Sequence, residues 1–228
     1  MEHRYDRNRG TISSEENKKL LTQSVCVIGC GGLGGGVIEG LTRLGVGHIT
    51  AVDGDVFEAS NLNRQVLSNE KVLGRPKAEE AARQMKEINS DVTVAPVVDF
   101  LTAENARRLI AGHDVVVDAL DNISARKTLE QACEAEQIPL VHGAIAGWNG
   151  QVAVIMPGDR LIQMLYEGDA DKGEELETGN PSFTPAVISN LEVAEVLKLL
   201  LERPGSLQHR LLTVNLLHHE YEVIDFGE

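Results

Sequence analysis

The chain has 228 residues, 42% of them hydrophobic, with 22 glycines and only 4% aromatics. That length buries a core on both faces of one sheet, and the glycine-rich aliphatic mix suits a β/α fold rather than a disordered chain. The formal net charge of −14, without a basic run, argues against a phosphate backbone as partner, so no nucleic-acid role is expected. No apolar run reaches the roughly 18 residues that span a bilayer. The charged start MEHRYDRNRG does not read as a secretory leader. Cys26, Cys30 and Cys133 are scattered, which predicts neither a disulfide framework nor a zinc knuckle. A reducing, cytoplasmic setting follows as the expectation.

A short helix is predicted over 15–22, then a strand over 24–29, SVCVIG, apolar and β-branched enough to be buried on both faces. A glycine turn leads into a helix over 33–45, with Val37, Leu41 and Leu44 on one stripe. Strand 48–53, helix 75–89, strand 92–97, helix 103–111, strand 114–120, helix 122–136 and strand 139–144 follow in alternation. This pattern implies a doubly wound, mostly parallel α/β sheet of Rossmann-like type with right-handed crossovers. After Ala144 the pattern changes. Residues 150–156 and the pair 211–217 and 219–226 read as antiparallel strands that extend the sheet, around a helix over 185–203. The segment 167–184 is acidic and non-periodic, and is the one long loop expected in the single domain 1–228.

Gly29, Gly31 and Gly34 form G-x-G-x-x-G between the first strand and its helix, with Gly32 as an extra glycine. Glycines let a phosphate approach the backbone, and the helix start offers free N–H groups. Asp53, 19 residues after Gly34, ends the next strand where a carboxylate can bond ribose hydroxyls. Alone, these features also fit dinucleotide enzymes. The next segment discriminates. Asp55 of VDGD, then Asn61, Asn63, Arg64 and Gln65 of SNLNRQ, then Lys77 of GRPK, set polar and cationic side chains beside that strand end. A triphosphate needs such cations, and Arg64 and Lys77 suit stabilisation of a departing pyrophosphate. Asp118, Leu120, Asp121 and Asn122 of DALDN close the fourth strand. A carboxylate there can hold Mg²⁺ across phosphates. For Asp118 the competing reading is a turn former, and for Asp121 a helix cap. His142 reads as packed and hydrogen-bonded or as an acid–base group, and His218 and His219 as a turn between strands.

With these motifs in this order, the chain resembles the ThiF/MoeB/HesA family of ubiquitin-activating-enzyme-like adenylyltransferases, from Arg4 to about Leu201. The resemblance implies a homodimer that uses Mg-ATP to adenylate the C-terminal glycine of a ubiquitin-like sulfur carrier ending in Gly-Gly, with release of pyrophosphate. It assigns Asp53 to the ribose, Asn61 and Arg64 to the phosphates, Lys77 to the reacting end and Asp121 to the Mg-linked carboxylate. Arg4-Tyr5-Asp6-Arg7 matches the family's R-Y-x-R start, which implies that Arg7 enters the site of a second subunit. Residues 1–23 then form an N-terminal helical arm, and 167–184 the crossover loop.

Two departures stand out. The family's paired C-x-x-C zinc motif is replaced by RLIQMLYEG at 160–168, so no structural zinc is expected. Aligned on Pro185, the crossover-loop cysteine of many relatives falls at Glu177, which implies adenylation without a catalytic cysteine. Other readings remain at this point. One is an ATP-dependent enzyme adenylating a peptide, a small-molecule carboxylate or a tRNA-borne carboxylate. Another is an NAD-binding or non-enzymatic module.

Overall fold

Strand β1 (Ser24–Ile28) lies inside the sheet and explains its layering. Val25 and Val27 enter one apolar cluster, while Cys26 and Ile28 enter another. Side chains alternate between strand faces, so an unbroken apolar run needs cover on both sides. A computed structural model describes residues 3–166 and 178–227.

The remaining strands are β2 (His48–Val52), β3 (Thr93–Val97), β4 (Val115–Asp118), β5 (Leu140–Ala146), β6 (Asn149–Ile155), β7 (Arg210–Asn215) and β8 (Glu220–Asp225). They form one eight-stranded sheet in the order β3-β2-β1-β4-β5-β6-β7-β8. Pairing is parallel from β3 to β5 and antiparallel from β5 to β8. The expected α/β sheet with antiparallel C-terminal strands is therefore the observed one. In the parallel part, Ile28 pairs with both Val52 and Asp118, so three strands end level with one another. That shared edge is where the site forms.

The helices are α1 (Ser14–Leu20), α2 (Gly32–Leu44), α3 (Lys77–Ile88), α4 (Ala106–Ile110), α5 (Ile123–Glu136), α6 (Leu161–Leu165) and α7 (Phe183–Leu200). Residues of α2, α3 and α7 contribute to the cluster on one face, and α4, α5 and α6 to the other. α1 starts at a capping box, with Ser13 and Glu16 each bonding the other's backbone N–H.

α7 is seated by glycines on its neighbours. A Cβ on Gly36 would meet Ser189, on Gly40 Val193, on Gly143 Glu192, and on Gly150 Ile188. Two of these glycines lie one helical turn apart on α2 and two lie on β5 and β6, so a long apolar helix beds close to both. Glu192 is fully buried in this seat, and neither carboxyl oxygen has a hydrogen-bond partner. Burial, then the nearby Asp118 charge, push its pKa well above the ordinary glutamate value.

Three expectations are corrected. α4 begins at Ala106 rather than near 103, because Thr102 and Asn105 each accept the other's backbone N–H and hold residues 102–105 as a turn. β5 runs on to Ala146 and returns through Gly147 and Trp148, so the antiparallel extension starts earlier than expected. α6 was not expected. Glu130 of α5 accepts from Ile162 and Gln163 N–H at 2.6 and 3.3 Å and caps it from a distance in sequence. Glu177 and much of the 167–184 loop lie outside the described residues.

Candidate functional site

A cleft of about 1060 Å³ opens along the shared ends of β1, β2 and β4 and continues over β5 to β8. Gly29, φ +102°, begins it: a Cβ there would strike the Ala119 carbonyl, and one on Gly34 would overlap the Gly29 carbonyl oxygen. These two glycines are needed by the protein's own packing. Gly31 and Gly32 differ. A Cβ on either would meet only ordinary contacts of 3.6 Å or more, from Gln65, Pro185 and Arg64, and both glycines line the cleft. Their bare backbone leaves room for a ligand at the start of α2. That start has no side-chain cap and no acid in its first turn. Its N–H groups and dipole favour an anion.

Asp53 braces this loop. Its Oδ2 accepts the Cys30 N–H at 2.7 Å and its Oδ1 the Asp55 N–H at 2.8 Å. Each carboxylate oxygen keeps further acceptor capacity on the cleft side. Lys77 opens α3 and is buried, with Nζ 3.3 Å from Asp55 Oδ2. Arg64 is steadied by bonds from Nη1 to the Ser60 carbonyl at 2.9 Å and to Asn63 Oδ1 at 2.8 Å. Asn63 Nδ2 donates to the Asn180 carbonyl at 3.1 Å. Two amide oxygens in residues that line the cleft, Gln65 Oε1 and Asn180 Oδ1, are buried without a partner. Bare glycines, an uncapped helix start and two cations fit a nucleotide polyphosphate, while the two unpaired amide oxygens are acceptors and suit a hydrogen-bond donor such as a hydroxyl or amino group.

Asn61 does not line the cleft. Its Oδ1 accepts the Glu58 N–H at 3.0 Å and shapes the turn that carries Arg64. Asn122 lines it and also caps α5, accepting the Ala125 N–H at 2.8 Å. Leu120 lines it with Asp121, which is exposed at the end of β4. Asp118 faces inward instead. Its Oδ2 lies 2.7 Å from His142 Nδ1 and 3.7 Å from Arg126 Nε, and its Oδ1 accepts the Leu120 N–H. Burial alone would raise the Asp118 pKa; Arg126 and His142 outweigh it and hold the carboxyl below its ordinary value. Burial likewise holds His142 below the ordinary histidine value, against the pull of Asp118. The network fits a neutral His142 that donates from Nδ1 to Asp118 and accepts at Nε2 from Gln151, 3.1 Å away.

Gln151 also donates to Tyr166 Oη at 2.9 Å, and Arg126 Nη1 donates to the same oxygen at 2.9 Å. Arg126 Nη2 donates to the Leu120 carbonyl at 2.6 Å. These three side chains line the cleft and were missed in the sequence. One signal was present for Arg126: it lies four residues after the helix-capping Asn122, so its side chain returns toward the helix start. Gln151 and Tyr166 carry no such local signal.

Arg7 is exposed and far from this cleft. The arm docks at the other end of α2, where Tyr5 packs on Gly45 and accepts from Asn89 Nδ2 at 2.9 Å. Arg4 Nη1 donates to the Ile88 carbonyl at 2.9 Å. The 13 residues of α2 separate the two ends by about 20 Å. The three cysteines are buried, and burial pushes the Cys26 thiol to about 12 and those of Cys30 and Cys133 upward. Among the described residues, no group of three His, Cys, Asp or Glu could hold a metal ion. Among them, no helix is long and apolar enough to cross a membrane.

A parallel sheet with a bare glycine loop, an acid closing β2 and cations flanking an uncapped helix defines a nucleotide-binding α/β protein. The ThiF family profile matches residues 5–228, and the chain belongs to the ThiF family. It is 37% identical to the SAMP-activating enzyme E1 of Haloferax volcanii over 218 residues, 94% of this chain and 81% of that protein. It is 37% identical to the sulfur carrier protein adenylyltransferase of Thermus thermophilus over 199 residues, 83% of this chain and 73% of that one. The crystal structure of E. coli MccB with MccA-N7isoASN shares the fold, with a TM-score of 0.83 at 20% identity, over 100% of this chain and 73% of that one.

Proposed function

We propose that this chain is an ATP-dependent adenylyltransferase that activates the C-terminal glycine of a ubiquitin-like sulfur-carrier protein ending in Gly-Gly. The observation that carries the reading is the asymmetry of the cleft. Lys77, Arg64 and the bare start of α2 line the part of the cleft by β1 and β2, while the small and apolar residues Ala144, Ile145, Ala146 and Gly150 line the part over β5 and β6, with Glu220 and Glu222 further along on β8. The first part suits a triphosphate and the second an extended, small-residue tail. The names borne by the Haloferax and Thermus relatives support the same reading.

In the reaction a carboxylate oxygen of the tail bonds to the α-phosphorus of ATP, and the bond from that phosphorus to pyrophosphate breaks. Negative charge grows on the departing pyrophosphate. Arg64 and Lys77 stabilise it, as oriented cations do for a charge that develops in the transition state. Asp53 orients the ribose, and the N–H groups at Gly31 and Gly32 hold phosphate oxygens. Asp121, the exposed carboxylate at the end of β4, would hold Mg²⁺, which neutralises phosphate charge when bound. Asp118 is committed to His142 and Arg126 and leaves that task to Asp121.

The family resemblance implies that Arg7 serves the cleft of a second copy in a homodimer, and the helix length between Arg7 and its own cleft supports that reading. The buried, proton-retaining thiols favour adenylation without a catalytic cysteine, with sulfur supplied by a separate donor. Three free cysteines also suit the cytoplasm. The reading includes no structural zinc, and the packing of β6 to β8 and of α7 in its glycine seat supports it.

Intact-mass analysis tests this directly. Mg-ATP and the matching carrier should yield a carrier adenylate, and Arg64→Ala or Asp121→Ala should abolish it. Full adenylate formation by both variants would refute the assignment.

A further inference from the structure

Phe100, just past β3, is a large apolar side chain left 60% exposed, and it lines the cleft. A ring of this size is normally a large contributor to burial, so one left open on a cleft wall calls for a partner. Its neighbour is Gly54, the residue after Asp53. A Cβ on Gly54 would stand 2.6, 2.6 and 2.7 Å from three adjacent ring carbons, Cδ2, Cε2 and Cγ. An edge-on ring would bring one carbon clearly nearer than its two neighbours. Near-equal distances place the flat face of the ring on Gly54. The absent side chain lets the ring lie flush on the backbone, and its opposite face is the one left open.

The ring stands beside Asp53, whose carboxylate closes β2, and Leu101, Leu120 and Ile123 line the same cleft. Aliphatic walls and one open aromatic face suit a flat heterocycle. They offer nothing to a phosphate. Gly54, on which the ring lies, directly follows Asp53, and Arg64 and Lys77 line the same cleft, so base, ribose and phosphates each have a suitable residue there.

We infer that Phe100 is a stacking platform for the purine ring of the nucleotide and sets the preference for purine over pyrimidine triphosphates. The inference rests on the nucleotide reading of this cleft and adds the residue that reads the base. Base–aromatic stacking is tolerant of sequence because every base has a π-face, and the larger purine covers more of the ring.

The test compares two probes on the full chain by calorimetry: ATP, and inorganic tripolyphosphate, which has charge but no base. Phe100→Ala should weaken ATP about tenfold and leave tripolyphosphate unchanged. Phe100→Trp keeps a platform and should bind ATP within a few-fold of the wild type. In Phe100→Ala the gap between ATP and CTP should also narrow. Unchanged ATP affinity in Phe100→Ala overturns the inference. So does an equal loss for both probes, which marks general damage to the cleft, and so does a Trp variant as weak as the Ala one. A wild-type chain that binds no ATP fails at the earlier step, the nucleotide reading itself, and takes the platform with it.

Discussion

Lys77 Nζ lies 3.3 Å from Asp55 Oδ2 in a lopsided pair: the lysine side chain is 9% exposed and the aspartate 58%. Taking a charge out of water costs several kcal/mol unless a close partner compensates. A long contact to a solvated carboxylate compensates little. The Lys77 N–H donates to the Asp55 carbonyl at 2.9 Å, so the start of α3 is fixed and the amine is held at the cleft. The arrangement is that of a cation kept for an arriving anion.

Lys77→Met should therefore separate activity from stability. Carrier-dependent ATP–pyrophosphate exchange should fall by about 10²–10³-fold, the scale for losing one transition-state charge donor. Thermal stability should hold or rise, because a buried charge is replaced by an apolar side chain of similar size. Rate and melting temperature measured on the same preparation check both halves.

The seat of α7 gives a packing test. Gly40→Ala places a methyl 2.8 Å from Val193 Cγ2 and should destabilise the fold by about 1–3 kcal/mol in urea unfolding. Val193→Ala removes the obstructing methyl groups, so the double variant should recover part of the loss. A strictly additive pair would mean that the two residues do not share this contact.

Glu192 makes stability depend on pH in an unusual direction. Its folded pKa is raised, by burial first, so the unfolded chain ionises while the folded one keeps the proton. Stability is lost as pH rises above the unfolded value of about 4.3 and toward the folded one. Glu192→Gln cannot ionise. Its melting temperature should exceed that of the wild type at about pH 8, with the gap shrinking toward about pH 5. A gap that widens on acidification would contradict the assignment.

The Asp118–His142 pair acts in the opposite sense. Both folded values lie below their ordinary ones. On acidification the unfolded chain takes up the histidine proton first, through about 6.5, and the aspartate proton later, so stability falls with pH across both windows. His142→Gln removes the first window. Its stability should vary less than the wild type's between about pH 7 and pH 5, measured by denaturant midpoints.

The parallel half of the fold was legible because each strand is an apolar run bounded by turns and each helix carries an apolar stripe. That Gly29, Gly31, Gly32, Asp53, Arg64, Gln65, Lys77 and Asp121 gather along one cleft was also legible, since the strand-end rule puts successive strand ends on one edge. α6 escaped because its cap, Glu130, comes from another helix. Phe100 escaped because its meaning depends on lying flat on Gly54, a relationship between residues far apart in sequence. The Arg126–Tyr166–Gln151 cluster draws on α5, the end of α6 and β6, which no local pattern joins.

The most direct measurement is Mg-dependent ATP–pyrophosphate exchange with each small Gly-Gly-ended protein of the same cell, intact and with the tail removed. The account predicts exchange with one intact carrier, loss of exchange with its truncated form, and loss with Arg64→Ala. Exchange that proceeds equally well without the tail, or none with any carrier while ATP still binds, would contradict it.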